Sequence, residues 1–230
     1  MLMTRRAFTA ALSLTGLAAL AGFSPLRLFG SAMAQGATNV AKQGASDVAK
    51  TDVAKPVSLP DMAIGAADAP VTIVEYAAAT CPHCGRFGRE VFPKIKAEYI
   101  DTGKVRYVFR EFPLNVKDVA CSMIARRIAS EDSGRYFAVV DMQFRQQDAL
   151  LEKTRETLEQ IGRQAGLSQQ AVEDCLKDQA LMNKIVADRN YAQETLKVEG
   201  TPAFFINGEM VVGEMSFDEM DARIKPLLKA

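Results

Sequence analysis

The 230-residue chain has no tryptophan, a single histidine and only four cysteines, and neither sign of charge predominates. Its 28 basic residues balance its 28 acidic residues, which gives no electrostatic reason to expect a nucleic acid or a membrane surface as a partner. The two scarce residue types occur together, because the histidine, His83, lies between Cys81 and Cys84. The composition is otherwise ordinary, so this short segment is the first candidate for chemistry.

The first 34 residues have the layout of an export signal. The pair Arg5-Arg6 precedes an uncharged run rich in Ala and Leu over 7–26, and a small-x-small sequence ending at Ala34 predicts cleavage before Gln35. The order Thr-Arg-Arg-Ala-Phe around the arginines resembles a twin-arginine signal. Two alternatives stay open: an ordinary secretory signal, and an uncleaved anchor, because about 20 uncharged residues are just enough to span a bilayer.

Export predicts a periplasmic protein, and in that compartment cysteines can persist as disulfides. Cleavage after Ala34 removes three arginines and no acidic residue, so the mature chain has a formal charge of −3. We therefore interpret the four cysteines as two pairs.

Residues 35–56 contain few large apolar side chains and repeat Val-Ala-Lys three times, which predicts a flexible linker with weak helical tendency; a partner-binding stretch is the alternative. Ordered structure is expected from Val57. The β-branched run Val71–Tyr76 predicts a buried strand, the apolar spacing over Arg86–Ile100 predicts a helix, and Val105–Phe112 predicts a second strand. Strand, helix and strand in this order indicate a βαβ unit, with the cysteine motif between its first strand and its helix.

From residue 116 to about residue 196 the apolar spacing is helical throughout. A strand pattern, the turn signal Asn207-Gly208, a second strand pattern and a closing helix follow over 203–228. The sequence therefore predicts one α/β domain formed by 57–115 and 197–230, with a helical domain over 116–196 inserted into it.

The motif Cys81-Pro82-His83-Cys84 begins where a helix is expected to begin. Unpaired backbone N–H groups and the positive end of the helix dipole favour a thiolate at Cys81. Pro82 suits the first helical position because it needs no N–H donor there, and His83 is expected to add a donor or a positive charge close to the sulfur. One helical turn also brings Cys84 near enough for a disulfide, and a stabilised thiolate makes that disulfide a stronger oxidant.

Two other interpretations of the motif are open. Cys121 and Cys175 could complete a four-thiolate zinc site with the cysteines of the motif, although they lack the close spacing usual in such sites. The motif could instead hold a purely structural disulfide, which would contribute little stability because it closes so short a loop. The interpretation that we favour is a redox-active pair that requires no metal and no cofactor.

Residues 57–230 resemble the DsbA-like branch of the thioredoxin superfamily. The Cys-Pro-His-Cys motif matches that branch, whereas thioredoxin itself typically has Gly-Pro between its cysteines. Glu75 lies six residues before Cys81, where DsbA-like proteins place a buried acid, and Thr201-Pro202 resembles the cis-proline loop of the superfamily. The helical block at 116–196 also resembles DsbA. The resemblance implies a thioredoxin fold with an inserted all-helical domain.

The resemblance also implies a role for each matching residue. Cys81 is the exposed nucleophile or, in the disulfide form, the sulfur that a substrate thiolate attacks, and Cys84 resolves the mixed disulfide. Glu75 is expected to be buried with a raised pKa and to shuttle protons for Cys84. Pro202 in cis holds the backbone of Thr201 beside Cys81, where it can bind an extended substrate chain. A solvated carboxylate at Glu75 and a trans Thr-Pro turn are the alternatives.

Some DsbA-like proteins have a second disulfide in the helical domain, and we expect one between Cys121 and Cys175. It would close a loop of about 54 residues, which corresponds to at most roughly 4 kcal/mol of stabilisation. Two buried free cysteines are the alternative.

Together these features predict a periplasmic thiol–disulfide oxidoreductase that donates its Cys81–Cys84 disulfide to exported proteins with free thiols and is reoxidised by a membrane partner. A monomer is expected, because residues 35–56 are too short and too polar to form the dimerisation domain usual in isomerases. An isomerase or reductase is an alternative, to which Thr201 before Pro202 gives some weight. A binding or chaperone module whose dithiol stays idle is another.

Overall fold

A computed structural model describes residues 50–55 and 58–229 of the chain. The export signal predicted over 1–34 and most of the linker predicted over 35–56 lie outside these residues. The described residues belong to one compact unit. Among them, no helix is both long enough and apolar enough to cross a bilayer.

The secondary structure follows the predicted order. The first half consists of α1 (Lys50–Val53), β1 (Met62–Ile64), β2 (Val71–Ala77), α2 (Pro82–Arg86), a π-helical turn (Phe87–Val91), α3 (Phe92–Ile95), a second π-helical turn (Lys96–Ile100) and β3 (Val105–Glu111). Six helices follow: α4 (Val116–Ala129), α5 (Ser133–Arg145), α6 (Gln147–Glu152), α7 (Thr154–Gln164), α8 (Gln169–Leu176) and α9 (Gln179–Glu194). The described chain closes with β4 (Ala203–Ile206), β5 (Glu209–Val212) and α10 (Phe217–Leu227).

The five strands form one sheet in the order β1-β3-β2-β4-β5. Strands β2 and β3 are parallel, as a βαβ unit requires, and the other pairs are antiparallel. The predicted fold class, a thioredoxin fold with helices inserted between its two parts, is confirmed. Strand β1 was not predicted, because its three residues are too few to show an alternating pattern.

The central strand β2 is buried on both faces, which explains its β-branched and apolar composition. Ile73 packs with Phe204 on one face, and the next residue, Val74, packs with Phe205 on the other. Because β2 is packed on both faces, the position of its carboxyl end is fixed by the core. The cysteine motif follows that end directly.

The inserted helices share a hydrophobic core with the cysteine motif. Cys84 and Phe109 belong to the same buried cluster as Ile124 and Phe144 of the insertion. Helix α4 is also joined to the end of β3 by a buried ion pair, in which Arg126 donates to both carboxylate oxygens of Glu111 at 2.5 and 2.7 Å. The insertion therefore packs directly against the cysteine motif.

The described part of the predicted linker contains a short helical turn that packs on the domain. Residues Lys50–Val53 form a helical turn, and Val53 is buried among Ala192 and Leu196. The hydroxyl of Tyr191 donates to the carbonyl of Asp52 at 3.4 Å. A single apolar side chain that meets a matching surface is enough to fix such a turn, and composition alone does not show that surface.

Candidate active site

Cys81 is the N-cap residue of α2, with φ −74° and ψ 120°, and Pro82 occupies the first turn of the helix as predicted. The carbonyl of Cys81 accepts a hydrogen bond from the N–H of Gly85 at 3.0 Å. In one respect the prediction is wrong, because Cys81 is only 5% exposed. Its thiol is covered by the loop at Thr201. The carbonyl of Thr201 accepts a hydrogen bond from Cys81 Sγ at 3.3 Å.

Hydrogen-bond donors around its sulfur lower the pKa of Cys81 from 9.0 to about 5. The largest cause is the thiol of Cys84, which donates toward the Cys81 sulfur; the Thr201 side chain and the backbone N–H groups of Cys84 and His83 add to it, and burial opposes them. The predicted preference for a thiolate at a helix N-terminus therefore has a structural basis.

The imidazole of His83 does not contact the sulfur, contrary to the sequence prediction. Its Nδ1 lies 2.9 Å from Oε2 of Glu214, and the side chain is 59% exposed. Arg86 donates to the same carboxylate oxygen at 2.9 Å. The part of His83 that acts on Cys81 is its backbone N–H. Glu214 lies after β5, about 130 residues along the chain, so no local sequence pattern could have revealed this contact.

Glu75 lies in the middle of β2 and is buried, as predicted. Burial raises its pKa from 4.5 to about 8; a hydrogen bond from the hydroxyl of Tyr107 opposes the shift, and the charge of Cys81 adds to it. The Tyr107 hydroxyl donates to Oε2 at 2.7 Å. Burial also raises the pKa of Cys84 far above its usual range, with contributions from Cys81 and from the charge of Glu75. The acid and the second thiol are thus close enough to influence each other.

One oxygen of Glu75, Oε1, is buried without a hydrogen-bond partner. It lies beside a cavity of about 20 Å³ whose lining also includes Gly88, Phe144 and Asp141. This volume is enough for one water molecule. Gly88 lets the ring of Phe144 pack closely beside this cavity, because a Cβ there would lie 2.5 Å from the ring.

The Thr201-Pro202 peptide bond is cis, as the sequence predicted. Pro202 precedes the antiparallel strand β4, which pairs with β2. The arrangement places the Thr201 carbonyl beside the Cys81 sulfur. The buried hydroxyl of Thr201 lies close enough to the Cys81 sulfur to help lower its pKa.

Sequence reasoning missed three side chains that bind the turn before α2, one from the residue just before the insertion and two from the insertion itself. Asn115 Nδ2 donates to the hydroxyl of Thr80 at 3.0 Å, and Asp118 accepts the N–H of Thr80 at 2.7 Å. Gln147 donates to the carbonyls of Ala79 and Cys81, both at 2.8 Å. These partners lie 35 to 68 residues apart in sequence. Of the three, only Asn115 could have been recognised from the local sequence, because Asn is a preferred N-cap residue.

The predicted disulfide between Cys121 and Cys175 is absent from the structure, in which both residues are buried free thiols. The Sγ of Cys175 is directed to the carbonyl of Met123 at 3.3 Å. Burial raises the pKa of Cys121 to about 12 and that of Cys175 to about 11. The two thiols lie on packed helices and belong to the same buried cluster. A shared position in the insertion was therefore not enough to predict a bond.

The zinc alternative has no geometric support. Across residues 50–55 and 58–229, no group of three or more His, Cys, Asp or Glu side chains is arranged to hold a metal ion. Cys81 and Cys84 are also free thiols, so the structure describes the dithiol form of the pair. Fold and site together define a protein with a thioredoxin fold and a dithiol at a helix N-terminus.

Comparisons with known proteins agree with this class. The family model described as "Thioredoxin" matches residues 58–226. Crystal structures of alpha-DsbA1 from Wolbachia pipientis include one that is 32% identical, with a TM-score of 0.72, over 79% of this chain and 96% of that chain. The oxidised BdbD of Bacillus subtilis has the same fold, with a TM-score of 0.67 at 20% identity, over 81% of this chain and 98% of that chain.

A Rickettsia bellii protein named "Putative protein-disulfide oxidoreductase" is 36% identical over 150 residues, which are 64% of this chain and 57% of that protein. A Bacillus cereus protein named "Probable disulfide bond formation protein D" is 32% identical over 72% of this chain and 78% of its own length. The chain spans about three-fifths of the length of the Rickettsia relatives that it matches. The chain belongs to the thioredoxin superfamily and, within it, to the DsbA-like proteins.

Proposed function

We propose that this protein is a thiol–disulfide oxidoreductase that acts as an oxidase and donates a Cys81–Cys84 disulfide to exported proteins. The observation that carries the proposal is the set of donors around the Cys81 sulfur, which lowers its pKa to about 5. Stabilising the thiolate stabilises the reduced pair relative to the disulfide, and a protein whose reduced form is stabilised gives its disulfide away readily.

The exchange takes place in two steps. A thiolate of the substrate attacks Cys81 Sγ, the Cys81–Cys84 bond breaks, and Cys84 leaves with the electron pair while a mixed disulfide forms. A second substrate thiolate then attacks the substrate sulfur of the mixed disulfide and releases Cys81 as a thiolate. The substrate is oxidised by two electrons, the Cys81–Cys84 pair is reduced by two electrons, and the two substrate protons go to Cys84 and to solvent.

Glu75 is the group proposed to supply the proton that Cys84 requires. The pKa of Cys84 is raised far above its usual range by burial, so this sulfur must be protonated as it leaves. Glu75 has a pKa of about 8, and it therefore carries a proton at neutral pH that it can give to the sulfur. The cavity beside Oε1 offers space for the water through which that proton is replaced.

The Thr201-Pro202 loop is the proposed contact for the substrate chain. Its backbone lies beside Cys81, so an extended peptide that brings a cysteine to this sulfur can pair with the same loop. Such pairing depends on backbone groups and therefore accepts many sequences. This generality suits an enzyme whose substrates share only a free thiol.

The compartment and the partners are proposed from the sequence. The export signal over 1–34 directs the protein to the periplasm, where its substrates are exported proteins with free thiols. The reduced pair must be reoxidised after each turnover, and a membrane partner is proposed for that step. The enzyme is proposed to act as a monomer.

A redox titration of the purified protein against glutathione tests the direction of the reaction. An oxidase requires a reduction potential well above that of thioredoxin, which is about −270 mV. We expect a value above about −200 mV, together with rapid oxidation of a reduced, unfolded substrate. A potential near −270 mV, with efficient reduction of insulin, would support the reductase alternative instead. A protein that binds unfolded chains equally well as Cys81→Ala, and shows no exchange, would be the idle binding module.

A further inference from the structure

We propose that Gln147 and Asp118, both from the helical insertion, are positioning residues that fix the backbone on either side of Cys81 and so hold its sulfur at the helix N-terminus. The inference deepens the proposed function, on which it rests. It assigns the insertion a part in the dithiol chemistry, in addition to its part in the fold.

Gln147 binds two carbonyl groups of the turn with one side-chain amide. Its Nε2 donates to the carbonyl of Ala79 and to the carbonyl of Cys81, each at 2.8 Å. Arg89 donates to Oε1 of the same amide at 3.2 Å, which leaves the NH₂ group facing the two carbonyls. An amide is the group that this position needs, because a carboxylate would set an oxygen against two carbonyl oxygens.

Asp118 binds the Ala79–Thr80 peptide group, whose carbonyl also accepts from Gln147. Its Oδ1 accepts the N–H of Thr80 at 2.7 Å, and its Oδ2 accepts the N–H of Leu114 at 3.1 Å. The residue is 1% exposed, so these bonds are sheltered from water. The two contacts connect the turn before α2 with the loop before α4.

The two contacts matter for Cys81 because its side chain does not anchor the start of α2. Cys81 is an N-cap residue without a side-chain capping bond. Its sulfur accepts hydrogen bonds from the backbone N–H groups of His83 and Cys84. These bonds form only while φ and ψ of Cys81 keep its side chain over the end of the helix. Asp118 and Gln147 together hold the Ala79–Thr80 peptide, one residue before Cys81, and Gln147 also holds the carbonyl of Cys81. The chain that carries Cys81 is therefore anchored to the insertion on both sides of the residue.

The packing around Gln147 shows how closely the insertion approaches the motif. A Cβ on Gly85, in the first turn after Cys84, would lie 2.0 Å from Oε1 of Gln147. Any larger residue at position 85 would therefore displace the amide from the two carbonyls. The glycine after the second cysteine is explained by this contact.

The chain offers a matched control for the test. Gln143 is also a buried glutamine of the insertion, and its Nε2 donates to the carbonyl of Cys121 at 2.9 Å. This bond lies wholly within the insertion. Gln143→Ala therefore removes the same chemistry and a similar amount of packing without touching Cys81.

The experiment compares Gln147→Ala, Gln147→Met and Gln143→Ala in the full mature protein. The thiolate of Cys81 is titrated by its ultraviolet absorbance, and the equilibrium with glutathione is measured for each variant. We expect both Gln147 variants to raise the pKa of Cys81 and to shift the equilibrium about three- to ten-fold toward the protein disulfide. We expect Gln143→Ala to lower the melting temperature similarly but to leave both redox readouts unchanged. Gln147→Met retains the volume of the side chain and carries the test if Gln147→Ala does not fold.

Asp118 provides a second, graded test. Asp118→Asn retains an oxygen that can accept the Thr80 N–H, whereas Asp118→Ala retains none, so we expect the alanine variant to show the larger shift. Equal shifts in Gln147→Ala and Gln143→Ala, or no shift in any Gln147 variant, would overturn the inference. A wild-type Cys81 that titrates like a free thiol would overturn the proposed function itself, so the two failures are distinguishable.

Discussion

The turn before α2 and the helical insertion both bury cysteine thiols, but they change them in opposite directions. Cys81 is 5% exposed and has a pKa lowered to about 5. Cys121 is fully buried and has a pKa raised to about 12. The difference arises because donors surround the first sulfur, whereas burial outweighs every other influence on the second. Burial therefore does not decide the charge of a thiol; the hydrogen bonds that accompany it do.

The same contrast holds for two buried glutamates on adjacent strands. Burial raises the pKa of Glu75 to about 8, and a single tyrosine hydroxyl is not enough to reverse it. Burial acts on Glu111 in the same direction, but the charge and hydrogen bonds of Arg126 and a bond from Tyr136 leave its pKa lowered. Glu75 is thus prepared to carry a proton, and Glu111 to carry a charge.

The largest effect that we expect is a difference in oxidation activity between variants of Cys81 and variants of the cysteines in the insertion. We expect Cys81→Ala to abolish oxidation of a reduced substrate, because the attacked sulfur is lost. Cys121→Ala and Cys175→Ala are the controls, and we expect them to retain the activity while losing some stability through their cavities. Oxidative refolding of a substrate protein measures this. Substantial activity in Cys81→Ala would contradict the assignment.

The second prediction concerns the rate of alkylation of the native dithiol form. At pH 7 Cys81 is almost entirely thiolate, so we expect it to react at least about 10³-fold faster than Cys121 or Cys175. The Cys81 rate should be constant above pH 6 and fall as the pH drops through its pKa of about 5. Mass mapping after timed quenching identifies the modified residue. A rate that still rises between pH 7 and 9 would show an ordinary thiol at position 81.

The third prediction compares the two glutamates by stability. The raised pKa of Glu75 means that the fold loses stability as pH rises from about 4.5 to about 8. Glu75→Gln removes this loss, so above pH 8 we expect the variant to be more stable than wild type by about 2 to 5 kcal/mol. We expect its thiol exchange to be slower because the proton for Cys84 is lost. Urea unfolding of the reduced proteins at pH 4 and pH 9 measures the difference.

Glu111→Gln should give the opposite sign. Its lowered pKa contributes stability at neutral pH that is lost on acidification, and the variant leaves Arg126 buried without its charge partner. We expect a loss of about 3 to 5 kcal/mol at pH 7 that shrinks at low pH. Effects of the same sign in both variants would show that burial alone governs these residues.

The smallest expected effect tests the side chain of His83. Glu214 holds the imidazole on the exposed side of the motif, at 2.9 Å. Glu214→Gln removes a negative charge and frees the ring to approach Cys81, so we expect the pKa of Cys81 to fall by about half a unit. Arg86→Gln is the control, because Arg86 contacts the same carboxylate oxygen without being able to take the place of the ring. A rise in the pKa of Cys81 in Glu214→Gln would contradict this account.

Much of the fold could be predicted from local pattern. The run Val71–Tyr76 is β-branched because β2 is buried on both faces, and the helical spacing after residue 116 reflects faces that must pack. The three-residue strand β1 escaped prediction because it is too short to show a period. The docking of Val53 escaped for another reason, since it depends on a surface formed by the distant end of α9.

The sequence by itself determined the identity and spacing of the reactive pair, the proline at the helix start, the acid six residues upstream and the proline that is cis in the structure. The first two follow from the local geometry of a helix start, whereas the acid and the cis proline were implied by the resemblance to DsbA-like proteins. Only the tertiary structure decided that the imidazole of His83 meets Glu214, that Cys121 and Cys175 are free, and that Gln147 and Asp118 bind the turn at Cys81. These contacts join residues far apart in the chain, and their geometry exists only once the helices have packed on the sheet.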